Sequence, residues 1–168
     1  MRALVIGTAF AMLSSAAWAQ QPAVQDAAQA ATLFASSANV AALVAKARSE
    51  RKPDQANFVQ PIVLRAPYTL NLEYRVEGLN ANAAVHEREA ELFYVVEGSG
   101  TMVTGGRLRE ERRTNPDNLQ GSGIDNGLSR RVAKGDVIMV PENTPHWFSQ
   151  VDGALVLMSL HLPKVPGF

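Results

Sequence analysis

The sequence predicts an all-β domain, a sandwich or barrel, preceded by one short helix. Three observations carry that expectation. Short apolar or alternating runs recur between turn-forming residues, at Tyr68–Val76, Leu92–Val96, Val137–Val140 and Ala154–Leu162. A convincing helical period is confined to one segment near Val40. The 168 residues, 46% of them hydrophobic with 12 Gly and 9 Pro spread along the chain, suit one globular core rather than a collagen-like or low-complexity chain.

Charge and cysteine content exclude several functions. Sixteen Lys plus Arg balance sixteen Asp plus Glu, so there is no global field of the kind that gathers nucleic acid or an anionic membrane surface. The chain has no cysteine, which excludes disulfides, thiolate nucleophiles and zinc-thiolate sites. It also has no nucleotide-binding glycine fingerprint and no serine nucleophile elbow.

Met1-Arg2 gives a positive start, the stretch from Ala3 to Leu13 is almost wholly apolar, and Ala17-Trp18-Ala19 offers small residues at the cleavage-reading positions. Residues 1–19 are therefore expected to be a signal peptide, the apolar run being shorter than the roughly 20 residues a bilayer span needs. Their removal takes away only Arg2 among the charged groups, leaving fifteen basic and sixteen acidic residues on 149. The expected product is secreted, periplasmic if the source is Gram-negative, and free of the membrane. Residues 20–57 are expected to be a helical extension and residues 58–168 the barrel.

Within the extension, Gln20 to Ala31 is Ala/Gln-rich and reads as a tether or frayed helix. Val40, Leu43, Val44 and Ala47 then recur at helical spacing, with Ser36 or Ser37 as N-cap. Lys46, Arg48, Arg51 and Lys52 gather toward the C-terminal end, where the helix dipole favours cations, and Pro53 stops the helix. Such a helix is expected to pack on the outside of the main domain.

From Tyr68 to Val76 the period becomes two, Tyr68, Leu70, Leu72, Tyr74 and Val76 alternating with Thr69, Asn71, Glu73 and Arg75. The polar side of this strand either faces solvent or lines the barrel, and in the second case Arg75 can pair with an acidic substrate. Leu92–Val96 and Val137–Val140 read as core strands, with Phe93, Val95, Met139, Trp147 and Phe148 as core or pocket wall. A last strand is expected to begin after the turn signal Asp152-Gly153 and to stop at Pro163. Between Gly105 and Lys134 lies a long polar stretch carrying Arg107, Arg109, Arg112, Arg113, Arg130 and Arg131. It reads as a solvated hairpin, or else as a mouth-covering loop that helps hold an anionic substrate.

Only three histidines exist. His86, Glu91 and His146 together supply two imidazoles and one carboxylate, the set of a facial triad with open positions for water, substrate or dioxygen. The phrase Glu-Leu-Phe-Tyr-Val-Val-Glu-Gly at Glu91–Gly98, and the run from Gly135 through Pro141 and Asn143 to His146, resemble the two motifs of the cupin superfamily. Asn143 stands where a glycine is usual and Gln150 where an asparagine is usual. The resemblance spans roughly Pro61 to Pro163.

That resemblance implies a cupin double-stranded β-helix, a jelly-roll barrel, with a homodimer as common assembly. It also implies one divalent metal ion (iron, manganese, nickel or zinc) bound by His86, Glu91 and His146. The first motif ordinarily brings two histidines. With four residues between histidine and glutamate, Ala84 occupies the first histidine position and His86 the second. With three, Val85 and Glu87 fall on them and His86 turns away. The four-residue alignment is favoured because it places Ala84 and His86 on one face of a strand. Glu87 or Glu89 can replace the missing ligand, and Glu89 is a candidate general base. His161 either faces the interior as a fourth ligand or acid/base group or, the favoured reading, fills a structural place near the strand end. The implied function is a metal-dependent enzyme acting on a small organic molecule, as dioxygenase, isomerase or lyase; the alternative is a cupin that binds such a molecule without metal or turnover.

Overall fold

The computed structural model describes residues 33–79, 81–165 and 167; the expected signal segment and the Ala/Gln-rich tether lie outside them. Helix α1 (Ser37–Glu50) starts at an N-cap, Ser36, that closes a reciprocal box with Asn39. The Ser36 hydroxyl accepts from the Asn39 N–H at 3.2 Å, and Asn39 Oδ1 accepts from the Ser36 N–H at 3.0 Å. Two donors that the first turn would leave orphaned are thereby satisfied. The helix closes with the Arg51 N–H donating to the Ala47 carbonyl, two residues before Pro53.

Eleven strands follow among the described residues: β1 (Asn57–Arg65), β2 (Tyr68–Val76), β3 (Ala83–His86), β4 (Glu89–Thr104), β5 (Arg107–Arg109), β6 (Arg112–Asn115), β7 (Asn118–Gly121), β8 (Gly123–Asp125), β9 (Leu128–Ala133), β10 (Val137–Val140) and β11 (His146–Pro163). The long strands β4 and β11 run antiparallel along nearly their whole length and form the spine. The first half of β11 pairs with the second half of β4, flanked by β3 and β9. The second half of β11 pairs with the first half of β4, flanked by β2 and β10. Two sheets thus share two bent strands, a jelly-roll arrangement, and the sheet extends by β1 on one side and by β7 and β6 on the other.

The bend is built into residues. Register shifts on β11 fall between Asp152 and Val156, and Gly153 takes φ +67° there. Asp152-Gly153 is therefore a bulge inside one continuous strand, not the turn that the dipeptide suggests; pairing with Ser99 on β4 holds the chain extended through it. On β4 the facing residue is Gly98, at φ +85°, where a Cβ would lie 1.9 Å from the Ala154 carbonyl oxygen. That close approach is the physical reason for the motif glycine.

Two apolar clusters sit on opposite sides of this sheet. Phe93, Val95, Met102, Phe148, Leu155 and Leu157 fill one end of the interior. Leu72, Tyr74 and Val156 face the other way, against Val44 and Ala47 of α1. The apolar side of β2 thus packs under the helix, and its polar side lines the barrel. Strand β10 departs from the expectation of a core strand. It pairs only with β4, and Val137 and Met139 are 63% and 51% exposed, so Met139 is not core and does not line the cavity beside the histidines. The polar stretch 105–134 is not a loop but carries β5 to β9, of which β7 lies beside β3.

Candidate metal centre

Glu91 lies near the start of β4, His86 ends β3 and His146 begins β11. The turn before His146 is fixed to the strand of His86 by the Asn143 N–H, which donates to the His86 carbonyl at 2.7 Å. Asn143 itself has φ +57°, the left-handed conformation that a glycine at this motif position would supply and that Asn tolerates. On β3, Ala84 and His86 both line the interior cavity while Ala83 and Val85 turn into apolar packing. This is the face assignment of the four-residue spacing between His86 and Glu91.

The structure brings His86, Glu91 and His146 together, with ligand atoms all within 4.8 Å of one another. Nε2 of His86 and of His146 lie 3.3 and 3.2 Å from Glu91 Oε2. His161 joins them: its Nε2 is 3.3 Å from Glu91 Oε1, and its ring centroid is 5.0 Å from that of His86. His161 holds the expected place near the end of β11, braced by Glu89, and from there it also faces the cavity. Its parity with Leu155, Leu157 and Ser159 turns it inward, and antiparallel pairing sets it directly opposite Glu91.

Each imidazole is held from behind. Nδ1–H of His86 donates to Asn118 Oδ1 at 2.6 Å, that of His146 to the Thr144 carbonyl at 3.1 Å, and that of His161 to Glu89 Oε2 at 3.0 Å. None of these oxygens has a proton to give, so each Nδ1 carries the hydrogen and in a neutral ring Nε2 is a bare lone pair. Three such lone pairs face a carboxylate that is only 3% exposed. Lone pairs facing lone pairs repel, so protons or one cation must lie between them. The donor set fits a cation: ligand atoms about 2.1 Å from an ion sit roughly 3.0–3.4 Å apart at right-angled or tetrahedral positions. Without an ion the same contacts shift the titrations. Burial disfavours the charge on both groups. It is outweighed at Glu91 by hydrogen bonds from His146 and His86 and the charge of His146 and His161, which hold its carboxyl well below the usual range. At His86, hydrogen bonds to Glu91 and Asn118 outweigh burial and raise the imidazole.

The cavity beside this cluster has a volume of about 330 Å³ and is walled by Asn57, Asn71, Asn82, Gln120, Glu73 and Arg75 together with the cluster itself. Arg75 is not a free anion receptor. Its Nη2 and Nε reach Glu73 Oε2 at 2.6 and 3.1 Å, and its guanidinium carbon lies 4.7 Å from the Phe148 ring centroid. Asn57 Nδ2 donates to the same Glu73 oxygen at 2.9 Å, leaving Asn57 Oδ1 buried without a partner among the described residues. Glu89 does not line this cavity; it braces His161. Glu87 is taken by Arg113 in a two-pronged pair of 2.7 and 2.9 Å. Arg109 pairs with Asp125 inside the stretch and Arg131 with Asp152 outside it, so with Arg113 three of its six arginines already have acidic partners.

Sequence reasoning missed Asn57, Asn118 and Gln120 as site residues. Asn118 and Gln120 come from β7, which pairs His86↔Asn118 and Ala84↔Gln120; four residues of polar sequence carry no periodicity long enough to announce a strand. With the geometry assembled, a family model described as Cupin matches residues 71–161, over half of the chain and every residue of the cluster. The chain belongs to the cupin family. By fold this cupin is similar to BH2720 from Bacillus halodurans, at a TM-score of 0.53 and 16% identity over 79% of this chain and 82% of that one. It is also similar to TT1209 from Thermus thermophilus, at 0.48 and 17% over 72% and 95%. A third likeness is to the Fe(II) form of HppE, at 0.49 and 15% over 64% and 52%, so that the chain spans about half of that protein. No curated protein matches the sequence significantly.

Proposed function

We propose that the chain is an exported cupin enzyme that holds one divalent metal ion through His86, Glu91 and His146 and acts on a small, oxygen-bearing organic molecule in the adjoining cavity. The observation that carries this reading is the set of bare Nε2 lone pairs converging on one buried carboxylate. A divalent ion satisfies those of His86 and His146 at once, whereas protons would leave charged imidazoles packed together. When bound, iron, manganese, nickel or zinc supplies Lewis acidity toward a substrate oxygen and, for the redox-active ions, a route to dioxygen.

The residues around the ion define what is bound. The charges of Glu73 and Arg75 cancel, and Glu91 contributes one negative charge to the cavity wall. A divalent ion therefore leaves a single positive charge, which favours a monoanion or a neutral oxygen donor. The amides of Asn57, Asn71, Asn82 and Gln120 line the cavity and offer polar contacts to it. A volume of about 330 Å³ lies at the small end of ligand pockets, roughly 300–1,000 Å³. Oxygenation, isomerisation and elimination all use such a site, and the identity of the metal selects among them.

The test is elemental analysis of tag-free protein purified from its native compartment, beside Glu91→Gln and His146→Ala. One equivalent of a single metal in the wild type, lost in both variants, is the expected result. A wild type that stays metal-free after incubation with each ion overturns the reading. It would favour a non-catalytic binding cupin, a second reading to which the alanine at position 84 points, and whose ligand would be sought by the rise in melting temperature it causes.

A further inference from the structure

We infer that Glu73 and Arg75 read the end of the substrate remote from the metal, and that they select a neutral hydroxyl there over a second carboxylate or a methyl group. The inference deepens the metal reading above and rests on it. Both side chains are largely buried and line the same cavity as His86, Glu91 and His146. A buried charge pair is a poor device for stability, since replacing both partners by apolar side chains of similar volume is often neutral or stabilising. The interior around Phe93, Phe148, Leu155 and Leu157 is apolar, so the two charges are a feature of the cavity wall and not of the core.

The hydrogen bonds of the pair are lopsided. Glu73 Oε2 accepts from Asn57 Nδ2 at 2.9 Å and from Arg75 Nε and Nη2 at 3.1 and 2.6 Å. Glu73 Oε1 and Arg75 Nη1 make no hydrogen bond among the described residues. The buried side-chain nitrogen and oxygen atoms without a partner there are Asn57 Oδ1 and Ser159 Oγ alone. Oε1 and Nη1 are therefore within reach of solvent, and the space that both side chains border is the cavity.

Strand register places the pair away from the metal ligands. Thr69 pairs with His161 and His161 with Glu91, which marks the row of the cluster on β2. Asn71, Glu73 and Arg75 follow on one side of the strand, all lining the cavity. At roughly 3.3 Å per residue, the Glu73 backbone lies about 13 Å along the strand from that row. The Arg75 guanidinium lies over Phe148, whose ring centroid is 5.3 Å from that of Phe93, itself 6.0 Å from that of His146. A ligand held by an oxygen at the ion presents its other end to the pair.

An acceptor beside a donor suits a hydroxyl, which accepts from Nη1–H and donates to Oε1. A carboxylate has no hydrogen to give and is repelled by Oε1. A methyl group displaces water from both atoms and pairs with neither. The substrate class is then a small molecule with a metal-binding oxygen at one end and a hydroxyl at the other, a hydroxy acid or polyol and not a dicarboxylate.

Binding of simple acids to the cobalt(II)-loaded full-length protein, followed by the visible absorption of Co(II), tests this without any assay of activity. The probes are butanoate, 4-hydroxybutanoate and succinate, with hexanoate, 6-hydroxyhexanoate and adipate as a longer set to cover the span. In at least one set the hydroxy acid should bind at least about 10-fold more tightly than the other two. Glu73→Gln should raise affinity for the dicarboxylate of that set by about 10-fold, because Arg75 loses its internal acid and becomes an anion receptor. Glu73→Leu combined with Arg75→Met should retain Co(II) and level the three affinities. Equal or undetectable wild-type affinities in both sets, a preference for the dicarboxylate, or an unchanged dicarboxylate affinity in folded, cobalt-loaded Glu73→Gln would overturn the inference. The wild-type order decides the matter even if neither variant folds. Failure of the wild type to take up Co(II) is a separate result that removes the metal reading itself, and the inference with it.

Discussion

On its outward side β2 sets Leu72 and Tyr74 against Val44 and Ala47 of α1, while on its inward side Glu73 and Arg75 line the cavity beside His86, Glu91 and His146. Both sides are buried at the centre of the strand, yet one is a dry hydrophobic contact and the other a network of charges. The contrast teaches how alternation should be read in a barrel that carries a site. Apolar periodicity marks the face that must leave water, but what covers that face can be a helix outside the barrel. The polar face is then free to enclose the chemistry.

Breaking the outward side should have the largest effect on folding. Leu72→Ala deletes a fully buried side chain between strand and helix and should cost about 3 kcal/mol, within the roughly 2–5 seen for such truncations. Chemical denaturation measures it, and metal content should be unchanged in the protein that remains folded. On the inward side, Glu73→Ala strands the Arg75 guanidinium beside Phe148. A loss of about 2 kcal/mol is expected, less than for a fully dry pair because the cavity admits water. The double change Glu73→Leu with Arg75→Met should recover most of it; if it does not, the pair does more than satisfy itself. Ser36→Ala opens the capping box of α1 and should lower stability by about 1 kcal/mol, a loss felt on the outward side alone.

A pH titration sharpens the comparison on the inward side. In the metal-free protein Glu91 is held below its ordinary value of 4.5 and His86 is raised above 6.5. The Glu91 contribution is present above 4.5 and lost as pH falls through the folded value; that of His86 is complete below 6.5 and lost as pH rises through its folded value. Metal-free stability should therefore decline as pH rises past 6.5. Metal-loaded stability should instead rise over the same interval, because the ion competes with protons for Nε2. Melting temperatures at about pH 6 and about pH 8, with and without metal, give opposite slopes if the site binds an ion, and parallel slopes if it does not.

Much of this was legible without coordinates. The helix over Ser37–Glu50, the strands over Tyr68–Val76 and Val137–Val140, and the family itself follow from periodicity, capping residues and two spaced motifs. Asn143 in a glycine position was readable as a left-handed residue, and its φ of +57° agrees. Less was visible at the site. The continuity of β11 through Asp152-Gly153 depends on pairing with β4, a long-range contact that overrides the local turn preference of the dipeptide. The exposure of Val137 and Met139 depends on β10 having a neighbour on one side only.

By itself the sequence determined the class of fold, the order of its elements and the types of donor available, because these depend on local propensity, on hydrophobic period and on side-chain chemistry. Only the tertiary structure decided which donors meet. Placing His161 opposite Glu91 and Asn118 behind His86 requires the register of strands far apart in the chain. Register is fixed by the sum of many pairings and by the bulges within them, so a shift of one residue would turn each of these side chains to the other face.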